Sequence, residues 1–111
     1  MDKTLICQDV ANKLFASEKA IDAAIAEAAG LLTGLTEARD ELRVSMVVTD
    51  KAATKITEAL MLLSQARTSM VQAHGELDEV KLRLGVRTKM IGFYNKPEAP
   101  GATESVVRRV A

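Results

Sequence analysis

Tryptophan is absent from the 111 residues, and one tyrosine with two phenylalanines brings aromatics to only 3%. A core without ring systems is built from aliphatic and small side chains packed closely, which favours helix on helix over a sandwich or a doubly wound sheet. Cysteine occurs once, at Cys7, so no internal disulfide can form and a reducing compartment is expected. Neither sign of charge is in excess: 15 basic residues balance 15 acidic ones, and no overall field gathers nucleic acid or an anionic membrane surface. Long uncharged runs are missing too, none approaching the ~18 to 20 residues of a membrane span. The opening MDKTLICQDVAN lacks the basic region and apolar run of a secretory signal. A cytoplasmic location is the expectation.

Chemistry is equally thin. His74 is the only histidine, and in QAHGELDE it is followed by Glu76, Asp78 and Glu79, whose charge opposes phosphoryl transfer. One histidine and one distant cysteine supply no ligand set, so neither metal nor cofactor is expected. The neighbouring carboxylates Asp40 and Glu41, like Asp78 and Glu79, diverge by about 100° on a helix and share no site. No Ser-His-Asp set, Gly-rich phosphate loop or CxxC occurs, and no catalytic residue is assigned. The chain does not read as an enzyme.

What is present is a seven-residue beat. With a at multiples of seven, the a positions run from Cys7, Leu14 and Ile21 to Leu84, and the d positions from Val10, Ser17 and Ala24 to Val80. None of these 23 positions is charged, although 27% of the chain is. That pattern predicts coiled-coil-like helix packing. Asp2 or Thr4 is placed to cap a first helix, and Gly85 to end the last in a left-handed cap. Val47, Val48 and Thr49 form a β-branched run before Asp50, and Thr49 or Asp50 is a candidate second N-cap. The reading is therefore all-α: a long antiparallel helical hairpin, with helices over about 4–47 and 50–84 and the reversal near residue 47. Gly30 and Gly34 read as a weak point inside the first helix.

Such a reversal sets each a position opposite a d position. Leu35 meets Ala59, Ala24 meets Met70 and Ile21 meets Ala73, so bulk faces alanine across the seam. On that register Ala59→Leu or Ala73→Leu overpacks the seam and costs about 1 to 3 kcal/mol. Two helices burying one narrow seam do not offset the ordering entropy of some eighty residues. Outside the seam, Ile25, Leu32, Met46, Ala53, Leu60 and Leu62 then form an apolar strip, and pairing two hairpins into a four-helix bundle buries it. The expected partner is a second copy of the chain.

The chain divides into a helical hairpin, 1–85, and a basic tail, 86–111. The first part has 10 Lys and Arg against 13 Asp and Glu, and the second has 5 against 2. Within the tail, KMIGFYNK gathers Met90, Ile91, Phe93 and Tyr94 between lysines, a segment suited to packing on its own bundle, to another protein's groove or to an anionic membrane surface. The architecture also resembles small secreted helical-hairpin proteins that carry a Tyr-x-x-x-acid signal after the second helix. Tyr94 and Glu98 have that spacing, but the Trp-x-Gly turn of that group is missing and no family is assigned. The expected function is a non-enzymatic scaffold, adaptor or regulatory module working through oligomerisation and protein contacts. A chaperone-like or secreted hairpin partner, and an amphipathic protein coating a lipid surface, are the alternatives.

Overall fold

The computed structural model describes residues 2–87. They form two long helices, α1 over Lys3–Glu41 and α2 over Met46–Arg83, which pack antiparallel as a hairpin, with no strand among the described residues. The long axis is 61 Å, close to the ~58 Å that 39 helical residues span. The expected tail segment, with Met90, Ile91, Phe93 and Tyr94, lies outside the described residues.

Local chemistry sets the helix ends. Asp2 stays in extended backbone, and its carboxylate accepts from the Thr4 N–H at 3.0 Å, satisfying one of the unpaired donors of the first turn. At the other end of α2, Gly85 has φ 82°; its N–H donates to Leu82 and that of Val86 donates to Lys81, which together make a Schellman cap. Both caps fall where the sequence placed them. α1 runs through Gly30 and Gly34 without a break, and both glycines face open space.

The turn is displaced from its expected place. α1 ends at Glu41, and the reversal uses Leu42, Arg43, Val44 and Ser45 rather than residues 47–50. Arg43 takes φ 56° and closes a second Schellman cap, with the Val44 N–H donating to Arg39 and that of Arg43 to Asp40. Val47 and Val48, read as helix-breaking, instead sit in the first turn of α2 with Ser45 as N-cap. β-branched side chains are penalised in helices because they crowd the preceding turn, and a first turn has none before it.

Moving the reversal changes the seam. Cover along α1 falls on Cys7, Ala11, Leu14, Glu18, Ile21, Ile25, Ala28, Leu32, Leu35 and Arg39. On α2 it falls on Thr49, Ala53, Ile56, Leu60, Leu63, Met70, His74, Leu77 and Lys81. These are the a and e columns, not a and d, a turn of each helix by about 50°. Leu31 and Leu42 are 59% and 72% exposed, and Ala52, Ala59 and Ala66 are exposed as well. Ala24, Ala38 and Ala73 keep partial cover. The register pairing Leu35 with Ala59 is therefore overturned, and Ala59→Leu carries no overpacking cost within the hairpin. Among the described residues only Ala11, Leu14 and Val86 are buried, Val86 packing on Ala11 and Cys7 where the chain leaves α2.

Candidate functional site

Antiparallel helices related by an approximate twofold normal to their plane show equivalent heptad positions on one broad face. With the seam centred between a and e, the d column lies about 80° to one side and the b column about 80° to the other. The structure agrees: Val10 and Val80, both d, wall the same hollow, while Asp22 and Val71, both b, line another.

The two faces differ in chemistry. The b column holds Gln8, Asp22, Thr36, Asp50, Thr57, Ser64 and Asp78, with Ala29 and the 62% exposed Val71 as apolar members, and its one ring, Phe15, has the Lys19 ammonium 5.5 Å above it. The d face holds Val10, Ser17, Ala24, Leu31 and Ala38 from α1 and Ala52, Ala59, Ala66, Ala73 and Val80 from α2. No charge interrupts it, although most of it is open to solvent. Leu62, 64% exposed, borders it from the neighbouring g column, which also carries Lys13, Glu27, Glu41, Lys55, Glu76 and Arg83. An uncharged column left open to solvent in a chain that is over a quarter charged is the feature of this hairpin that calls for a function.

The residues read as an association strip fall into two groups. Ile25, Leu32, Ala53 and Leu60 are half-buried, taken up by the seam of the hairpin itself. Met46 and Leu62 remain exposed, at 68% and 64%. The exposed row that sequence reasoning assigned to the seam, Leu31 with Ala52, Ala59 and Ala66, is the row that stays uncovered.

Polar contacts cross the seam at two heights. His74 Nδ1 lies 3.0 Å from Glu18 Oε2, with side chains 20% and 29% exposed, and Arg67 Nη2 lies 2.6 Å from Asp22 Oδ1 at the rim. His74 thus joins the two helices, a role the sequence reading did not assign. Its signal was present: Glu18 and Asp22 are one turn apart on α1, and Arg67 and His74 two turns apart on α2. At the open end the Lys3 ammonium donates to the Leu84 carbonyl at 3.3 Å. No group of three or more His, Cys, Asp or Glu able to hold a metal occurs among the described residues, and none of their helices is long and apolar enough to cross a membrane.

Beside this open end lies an apolar hollow of about 140 Å³, walled by Ile6, Val10, Leu77, Val80 and Leu84 with Cys7 and Ala11 at its base and Lys81 at its rim. Compared with models of protein families, with curated proteins and with solved structures, the chain matches none.

Proposed function

We propose that this protein is a non-enzymatic helical scaffold or adaptor that works by self-association, two hairpins packing their d faces into an antiparallel four-helix bundle. The observation that carries the reading is the exposed, charge-free row formed by Leu31, Ala52, Ala59 and Ala66. Solvent does not require a surface to be uncharged over this length, whereas a partner helix does. Small side chains let that partner approach closely, so backbone and Cβ atoms are covered together. Two helices ~10 Å across and 61 Å long present on the order of 1,000 Å² on this side, the charged g positions at its edges included, which is the order of the ~800 Å² per partner of a stable interface. A twofold pair needs only this one self-complementary patch. The polar b face is left outward, available to solvent and to whatever the scaffold holds.

Sedimentation equilibrium of the full chain over a concentration series tests the proposal, with circular dichroism on the same samples. The expected result is a helical dimer that dissociates on dilution to a less stable hairpin. A monomer that gains helix only on mixing with another protein would replace self-association by the chaperone-like partner role. A monomer that gains helix only on anionic vesicles would replace it by the lipid-coating role.

A further inference from the structure

We infer that the two copies lie end over end, each hairpin laying its turn on the open end of the other, so that Leu42 and Val48 of one copy close the apolar hollow of the second. The inference rests on the self-association proposed above and gives it a direction. The hollow holds about 140 Å³, and its walls Ile6, Val10, Val80 and Leu84 are 41–48% exposed. At the opposite end of the molecule, Leu42 and Val48 are 72% and 70% exposed. A dense interface sets projecting apolar side chains into hollows. Copies placed side by side, open end on open end, would instead set hollow on hollow and leave both unfilled.

The register of the d face agrees. Val10 and Val80 wall the hollow from opposite helices, and two seven-residue steps from each lead to Ala24 and Ala66, near the middle of α1 and α2. A twofold axis crossing the helices at that level sets Ala24 on Ala24 and Ala66 on Ala66 of the second copy. It lays Val10 on Ala38, Leu31 on Ser17 and Val80 on Ala52, so each bulky member of the column meets a small one. It also brings Leu42 over Ile6 and Val48 over Leu84, two walls of the hollow. Side by side, Val10 would meet Val80. Charge is complementary in the end-over-end register: along the flanking g column, Lys55 of each copy faces Glu76 of the other, and no like charges meet.

Disulfide trapping in the full-length chain reads the direction. In a Cys7→Ala background, Ala24→Cys or Ala66→Cys places a single thiol at the axis. Each variant is expected to form a covalent dimer with itself under oxidised glutathione, at least about tenfold faster than Ser64→Cys on the b face, because a bridge needs Cα atoms within about 7 Å. Copies lying side by side hold like positions diagonally across the bundle, out of reach, and link only in a mixture of the Ala24→Cys and Ala66→Cys chains. That result overturns the inference and keeps self-association. Absence of any linkage overturns it too: a dimer in sedimentation then moves the interface off the d face, and a monomer removes self-association itself. The cover of the hollow is read through Cys7, which lies in it and is the only cysteine. At concentrations where both proteins sediment as dimers with equal helix content, Leu42→Ser with Val48→Ser is expected to speed iodoacetamide alkylation of Cys7 at least about threefold. An unchanged rate overturns the contact, and protection that persists on dilution to monomer assigns the cover to the same chain.

Discussion

Arg43 holds a left-handed backbone, φ 56°, at the point where the chain reverses. The two Schellman caps of this hairpin are built alike, yet one uses Gly85 and the other an arginine. Glycine announced the first cap in the sequence; nothing announced the second, because an L-residue in that conformation is disfavoured and not a signal. The displaced turn follows from this single residue. Arg39 helps to hold it, its guanidinium Nη1 donating to the Val44 carbonyl at 3.4 Å. Replacing the arginine removes the Cβ clash of the left-handed region, about 1 to 2 kcal/mol, and gives back part of it as unfolded-chain entropy. Arg43→Gly is therefore expected to stabilise by about 0.5 to 1 kcal/mol, read as a raised midpoint in thermal or urea unfolding. A lowered midpoint would show that the arginine side chain contributes more to the turn than its backbone costs.

At the scale of the element, period was legible and face was not. The uncharged a and d columns fixed the seven-residue repeat and two antiparallel helices, and these are present as α1 and α2. They did not reveal that a and d are kept uncharged for different reasons. The a column is covered inside the hairpin; the d column looks outward. The true second wall, column e, was disguised by His74 and by the charges of Glu18, Arg39, Arg67 and Lys81, which ordinarily argue against a seam. Those charges are tolerable because the seam is thin: Arg67 is 58% exposed beside Asp22, and His74 is held by Glu18. A pair of truncations separates the two assignments. Leu14→Ala empties a buried a position, 6% exposed, and is expected to cost about 2 to 3 kcal/mol. Leu31→Ala on the d face, measured in dilute samples of the single hairpin, is expected to cost under about 0.5 kcal/mol. Similar losses at both positions in urea unfolding would restore the a/d seam.

The described residues are two helices with almost no buried interior, and self-association is proposed to supply part of their stability. Among the described residues Ala11, Leu14 and Val86 are the buried ones, all near the open end, while Met46, Val47, Val48, Met61 and Leu62 lie exposed along α2. The expectation of a partner rests on length and on the narrowness of any two-helix seam. Which face receives it depended on the helix rotation, which only the packed structure supplies. That rotation makes opposite surfaces behave differently on substitution. Ala66 on the d face and Ser64 on the b face are two residues apart on the same exposed stretch of α2, so a glutamate meets nearly equal helix propensity and solvent at either position in the isolated hairpin. In the proposed bundle, Ala66→Glu would put two carboxylates, related by the dimer axis, into a close-packed interface without a cation. Ser64→Glu stays in water, one turn from Arg67. Ala66→Glu is expected to weaken self-association by at least about 2 kcal/mol, some thirtyfold in the dissociation constant, with Ser64→Glu within a factor of about two of the wild type. Equal weakening by both in sedimentation equilibrium would reject the d face as the interface, and weakening by Ser64→Glu alone would transfer the interface to the polar b face.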